Sequence, residues 1–206
     1  MRILHKSSLN KYDFIPSDAP ECVGYVPFEV LSGGLSEIKS KERAFNNLDK
    51  NWRMILEVLN YDTAGKKILD LGCGCFEGNV ESGRYNGMYG PWMGKFMNLT
   101  KEKTGLEYVG VDCGDNSSES FDSRKIDLLE EGALVREFND GYFDLVTGFM
   151  LFNSPELEKR VSGMDARDAR GSSGKKLANV IFPQLEKIVK NDGAFLWCGG
   201  EDMWNF

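Results

Sequence analysis

The chain has 206 residues, of which 41% are hydrophobic, and its 25 basic and 32 acidic residues give a formal net charge of −7. This length allows folding to bury roughly 70% of the unfolded surface in one core, while the negative charge would repel a nucleic-acid backbone. No run approaches the about 18 apolar residues of a membrane span, and the first residues lack the apolar centre of a secretory signal, so we expect a cytoplasmic protein.

The N-terminal part of the chain divides into an irregular segment and a helix. Residues 1–34 are predicted to be irregular, because they contain prolines at 16, 20 and 27 and end in two glycines. An N-terminal helix is predicted over 35–60, where apolar residues recur at steps of three, four and seven. The residues on this face are Ile38, Phe45, Leu48, Trp52, Ile55 and Leu59. We expect this face to cover one side of a sheet.

From residue 66 onward, apolar strands alternate with helices. Strands are predicted at 67–71, 108–112, 125–128, 143–152 and from 193 onward, and helices at 91–103 and 175–190. This alternation predicts an α/β protein with a three-layer, Rossmann-like, doubly wound and mostly parallel sheet, whose ligand lies at the carboxyl ends of the strands. We expect a single domain over 1–206, with its ligand-binding core at 66–200.

A glycine-rich turn follows the first of these strands in the segment ILDLGCGCFEGNV, residues 68–80. Gly72, Gly74 and Gly78 let a ligand approach the backbone closely, because glycine has no Cβ and adopts positive φ at little cost. A dinucleotide fingerprint needs G-x-G-x-x-G, whereas Glu77 stands here where the third glycine belongs. The turn therefore indicates a nucleoside-type ligand without favouring a dinucleotide.

Acidic residues end or follow three successive strands. A carboxylate at Asp70 would repel pyrophosphate but suits a ligand with an ammonium group and a sulfonium. Asp112 ends the next strand, where a carboxylate can accept both ribose hydroxyl protons. Asp127 could accept a hydrogen bond from an exocyclic amine such as that of adenine, or it could begin a solvated helix. These acids predict a cationic, sugar-bearing ligand without phosphate.

Five segments in order resemble the successive motifs of class I S-adenosylmethionine-dependent methyltransferases: KKILDLGCG, YVGVD, KIDLL, FDLVTGFMLF and GAFLWCGG. The resemblance covers about residues 66–200 and implies S-adenosylmethionine as the cofactor. It implies that Asp70, Gly72, Cys73 and Gly74 line the methionine end of the cofactor. It further implies that Asp112 binds the ribose, Cys113 flanks the adenine, Asp127 and Leu128 hold the adenine edge, and Phe149 faces cofactor and substrate.

The chain departs from that family pattern in two places. Phe76 stands where the family often has a further glycine. Residue 206 follows soon after the fifth predicted strand, which leaves no room for the C-terminal sixth and seventh strands of the full fold. Residues 1–34 could cover the resulting sheet edge, or the exposed edge could pair with a second copy in a homodimer.

Further candidates lie outside these motifs. Tyr85, Tyr89 and Trp92 belong to a segment rich in glycine and aromatic residues, which either packs on the following helix or forms a lid over the substrate. Asn153, after the fourth predicted strand, is a further candidate for substrate contact. Cys73, Cys75 and Cys113 could meet, but the sequence offers no evident fourth ligand, so we predict reduced thiols and no metal.

The sequence thus predicts a methyltransferase that uses S-adenosylmethionine to methylate a small molecule or a protein. No catalytic residue is predicted, because the sulfonium is itself an activated methyl donor and alignment is the protein's main task. One alternative is a non-catalytic module that binds S-adenosylmethionine and works through a partner protein. Another is a nicotinamide-dependent dehydrogenase, against which Asp70 and the glycine spacing both argue.

Overall fold

The structure is a computed structural model, and it describes residues 1–6, 41–75, 90–162 and 172–198. The described residues form strands and helices in the order β1 (Arg2–Lys6), α1 (Lys41–Val58), β2 (Lys67–Leu71), α2 (Trp92–Thr104), β3 (Glu107–Asp112), β4 (Asp122–Lys125), α3 (Ala133–Glu137), β5 (Phe143–Phe149), α4 (Pro155–Ser162), α5 (Ser172–Ile188) and β6 (Val189–Cys198). A short 3₁₀ turn, Leu151–Asn153, joins β5 to α4. None of the described helices has the length and apolarity needed to cross a membrane.

The strands form one sheet in the order β1-β6-β5-β2-β3-β4, and every pair is parallel. Alternate side chains of each strand point to opposite faces, so the sheet has two apolar sides. On one side, α1 and α2 pack over Ile68 and Leu196 in a first core. On the other, α3, α4 and α5 pack over Leu69 and Phe195 in a second core. The predicted three-layer, Rossmann-like fold is thereby confirmed.

The sheet edge beyond β6 is covered by the N-terminus of the chain. The strand β1 pairs with β6 in parallel, with Arg2 opposite Ala194 and Lys6 opposite Cys198. The prediction that residues 1–34 are irregular is therefore wrong for Arg2–Lys6, whereas residues 7–34 lie outside the described residues. The sequence left open whether N-terminal residues or a second copy cover this edge. In the structure, Arg2–Lys6 cover it and supply the sixth strand.

Three predicted strands differ from the structure by more than one residue at a boundary. The strand predicted from 193 onward begins at Val189. The strand predicted at 143–152 ends at Phe149, because Met150 has a φ of +58°, a left-handed conformation that breaks the extended backbone. The strand predicted at 125–128 lies instead at Asp122–Lys125, three residues earlier. Its side chains are largely exposed and polar, so its own sequence carried no apolar signal, while the buried Ile126 and Leu128 lie just beyond its end.

We expect the docking of β1 to depend on Leu4 and to tolerate changes at Ile3. Leu4 is partly buried against the first core, whereas Ile3 is 53% exposed. Leu4→Thr should lower the free energy of unfolding by about 1–2 kcal/mol, because it removes apolar contact while keeping a residue suited to a strand. The matched control Ile3→Thr should change it by no more than about 0.5 kcal/mol. Urea denaturation measures both, and equal losses would contradict this placement of β1.

Candidate functional site

The candidate site lies where β2, β3, β4 and β5 end. These strands are neighbours and all parallel, so the segments that follow them emerge at one edge of the sheet. The sequence-predicted residues Asp70, Asp112, Asp127 and Phe149 all belong to these strand ends or to the residues directly after them. The fold therefore brings together residues that are up to 79 positions apart in the chain.

The glycine turn after β2 uses its own N–H groups within the protein. Gly72 has a φ of +68° and Gly74 a φ of +89°, which explains the need for glycine at both positions. The N–H groups of Gly72 and Cys73 donate to the carbonyl oxygen of Val111, at 2.8 and 3.1 Å. The Gly74 N–H donates to Asp112 Oδ2 at 3.1 Å. Residues 72–74 therefore present no uncommitted N–H group to a ligand.

The side chains of the turn pack inward against neighbouring glycines. Cys73 is 7% exposed, and a Cβ at Gly110 would come within 2.8 Å of its Sγ. Cys75 is also buried, and a Cβ at Gly114 would come within 2.6 Å of its Sγ. Burial, followed by the nearby carboxylates of Asp70 and Asp112, raises the pKa of the Cys73 thiol. Cys73 is thus a neutral packing residue, and only its main chain could face a ligand.

Asp70 is buried within the sheet rather than open to solvent. It is 4% exposed, accepts a hydrogen bond from Tyr108 Oη at 2.9 Å on Oδ2, and accepts one from Thr147 Oγ1 at 2.7 Å on Oδ1. Strand register places Thr147 beside Asp70 on the neighbouring strand. Burial raises the pKa of Asp70 to about 6, despite the opposing effect of the two hydroxyl donors, and the negative charge of Asp112 adds to the increase.

Asp112 ends β3 and holds two loops at once. Its Oδ2 accepts the N–H of Gly74, and its Oδ1 accepts the N–H of Gly114 at 2.9 Å. A carboxylate oxygen has two lone pairs, so each oxygen keeps one for a further donor. The carboxylate is half-buried and its orientation is set by backbone groups on both sides. Asp112 therefore keeps acceptor capacity on both carboxylate oxygens.

Asp127 and its neighbours form the edge of the site beside β4. The Asp127 Oδ1 accepts the Leu129 N–H at 3.0 Å, and Oδ2 accepts Arg160 Nη2 from α4 at 2.5 Å. Partial burial raises the pKa of this carboxyl, but those two hydrogen bonds and the charge of Arg160 outweigh it, so the pKa is lowered overall. Leu128 is 8% exposed in the second core, and Cys113 is exposed.

The structure describes the side chains of only some of the remaining candidate residues. Phe149 ends β5, is half-buried and packs against the first core. Trp92 begins α2, is 7% exposed and belongs to the first core. Tyr85 and Tyr89 lie outside the described residues, as does the side chain of Asn153. Among the described residues, no group of three or more His, Cys, Asp or Glu side chains is arranged to hold a metal.

Sequence reasoning missed four residues that shape this edge: Tyr108, Asn116, Thr147 and Arg160. Tyr108 and Thr147 sit within apolar strand patterns, and Asn116 and Arg160 in polar segments, so local pattern gave none of them a partner. Thr147 lies beside Asp70 only through the pairing of β5 with β2, and neither the order nor the register of these strands can be read from a local sequence pattern.

Neither a protein-family model nor a curated protein matches the sequence. Among solved structures, the chain is similar to the crystal structure of a SAM dependent methyltransferase from Archaeoglobus fulgidus, with 24% sequence identity and a TM-score of 0.30. The similar region covers 54% of this chain and 46% of that chain, so this chain spans less than half of that protein's length. A similarity of this extent does not assign a function.

The buried Asp70 should make stability depend on pH. Its pKa is 3.8 in the unfolded reference and about 6 when folded, so the folded state binds the proton more tightly. The stability associated with this group is therefore full below about pH 4 and falls as the pH rises to about 6, by about 3 kcal/mol in all. Asp70→Asn should lose this dependence, because the amide does not titrate and still accepts one hydroxyl proton.

Urea denaturation between pH 4 and pH 7 measures this dependence. The free energy of unfolding of Asp70→Asn should rise relative to wild type across that range. Asp140→Asn, at an exposed carboxylate, is the control. A constant difference between Asp70→Asn and wild type would contradict a titrating, buried Asp70.

Proposed function

We propose that this protein binds S-adenosylmethionine at the edge formed by β2, β3 and β4 and transfers its methyl group to a small molecule or a protein. One observation carries the proposal: the backbone N–H donors of the glycine turn are already hydrogen-bonded within the protein. The N–H groups of Gly72, Cys73 and Gly74 are bonded within the protein, and the groups beside them are carboxylates. This part of the edge therefore suits a ligand that donates hydrogen bonds and carries positive charge.

The same observation argues against phosphate-bearing ligands. Turns that bind phosphate do so with several uncommitted backbone N–H groups aimed at the anion. In residues 72–74 those groups are already used, and Asp70 and Asp112 add negative charge close by. S-adenosylmethionine has no phosphate and carries both an ammonium group and a sulfonium. A nicotinamide dinucleotide would instead bring its pyrophosphate to carboxylates.

The ribose and adenine contacts follow from the two outer acids. Asp112 keeps one lone pair on each oxygen and would accept the two ribose hydroxyls. Asp127 likewise keeps acceptor capacity, and the exocyclic amine of adenine would share its carboxylate with Arg160. Cys113, which follows Asp112, would lie along the base, and Leu128 would contribute its main chain, since its side chain is in the second core.

Methyl transfer needs little from the protein beyond alignment. When bound, the sulfonium of S-adenosylmethionine supplies an activated methyl group. The chain's own residues would bind and orient the two reactants, which is a large part of the barrier reduction in such reactions. The end of β5 adjoins the turn in the sheet, so Phe149 and the residues after it would face the methyl acceptor. We propose no general base.

Titration calorimetry with S-adenosylhomocysteine, the product of methyl transfer, tests the proposal. Wild type should bind it at micromolar strength, and Asp112→Ala should weaken binding at least about tenfold, or about 1.4 kcal/mol. The control is Asp192→Ala, which changes an exposed acid near the beginning of β6, at the other end of the strands from the site. This variant should bind as wild type does. The absence of binding to wild type, or micromolar binding of NADH, would overturn the proposal.

A second titration separates the ribose contact from a general disturbance of the turn. Wild type should bind S-adenosylhomocysteine at least about fivefold more tightly than its 2′-deoxy analogue, because the analogue lacks one hydroxyl that Asp112 would accept. In Asp112→Ala the two ligands should bind almost equally. Retained discrimination in the variant would place the hydroxyl contact elsewhere.

A further inference from the structure

Asn116, in the loop after β3, joins three segments of the site. It is 6% exposed, and its Nδ2 donates to the carbonyl oxygen of Gly74 at 2.8 Å and lies 3.6 Å from Cys73 Sγ. The backbone carbonyl oxygen of Asn116 accepts a hydrogen bond from the Ser123 hydroxyl in β4 at 3.1 Å. One buried side chain thus connects the turn after β2 to the loop after β3, and its backbone is tied to β4.

The two polar backbone groups of Gly74 are both held from the segment 112–116. Asp112 accepts its N–H and Asn116 donates to its carbonyl oxygen. Gly74 has a φ of +89°, and because glycine adopts many other backbone conformations at similar cost, contacts of this kind keep the turn in one shape. Without the amide donor, this partly buried carbonyl would keep only the weak, 3.6 Å hydrogen bond from Cys73 Sγ. Aspartate or an apolar residue at position 116 could not replace that donor.

The contact between Asn116 and Gly74 concerns only one end of the proposed ligand. The turn is where the amino-acid end of the ligand would lie, while ribose and adenine would contact Asp112 and Asp127. Asn116 itself is buried, so it acts through Gly74 and Cys73. Its loss should therefore affect a ligand that carries the amino-acid end and spare one that lacks it.

We propose that Asn116 is a positioning residue that holds the glycine turn in the shape that receives the amino-acid end of the ligand. The proposal rests on the proposed function for the identity of that ligand. The hold on the turn stands on the hydrogen bonds alone.

Two measurements on Asn116→Ala test the proposal. Backbone amide exchange at Cys73 and Gly74, followed by NMR without ligand, should be at least about tenfold faster than in wild type. Calorimetric titration should show S-adenosylhomocysteine binding weakened at least about fivefold, while adenosine binding changes less than about twofold. A purely structural role would not change the ratio of the two affinities.

Asn98→Ala is the matched control. Asn98 is an exposed asparagine on α2 that donates to Ser120 Oγ at 3.1 Å, in the same loop region, and no contact joins it to the turn in the described residues. It should change neither exchange at the turn nor the affinity ratio. If Asn116→Ala does not fold, Asn116→Leu takes its place, since leucine keeps the branched shape of asparagine without a donor.

The outcomes distinguish the role of Asn116 in the turn, its link to the amino-acid end of the ligand and the proposed function. Unchanged exchange at the turn would overturn the role of Asn116 even if S-adenosylhomocysteine binds to wild type. Faster exchange with equal weakening of both ligands, or of neither, would overturn its link to the amino-acid end. If wild type binds neither ligand, the proposed function and the role of Asn116 in ligand positioning are overturned. Faster exchange in Asn116→Ala would still establish that Asn116 holds the turn.

Discussion

All six strands of the described sheet run in the same direction, and the site depends on this one constraint. Parallel pairing places the ends of β2, β3, β4 and β5 at one edge, so residues about 40 positions apart become hydrogen-bonded neighbours. Gly74 meets Asp112 and Asn116 in this way. The chemistry of the edge is therefore set by which side chains happen to end each strand.

At this edge the glycine turn has a chemical character that its spacing alone does not reveal. Glycine-rich turns are usually associated with phosphate because their N–H groups are free to bind an anion. Here Val111 and Asp112 accept three of those groups, and the half-buried carboxylate of Asp112 lies beside the turn. The turn therefore lacks the free N–H groups on which phosphate binding depends.

Burial of Asp70 has a cost that its surroundings only partly offset. A carboxylate that is 4% exposed loses most of its hydration, and the hydroxyls of Tyr108 and Thr147 restore part of it. The raised pKa expresses the remaining penalty. A positive charge nearby would favour the ionised form, so a cationic ligand at this edge and the buried acid would stabilise one another.

The sequence by itself determined the alternation of strands and helices and the acids that end or follow the strands, because both depend on local hydropathy and spacing. It also led to Gly72 and Gly74, whose positive φ values only glycine adopts cheaply. The tertiary structure alone decided that Arg2–Lys6 covers β6, since a short polar edge strand carries little apolar periodicity. It alone decided that Asn116, Thr147 and Arg160 bond to the site, because these partners are specified by strand order and register, which no local pattern contains.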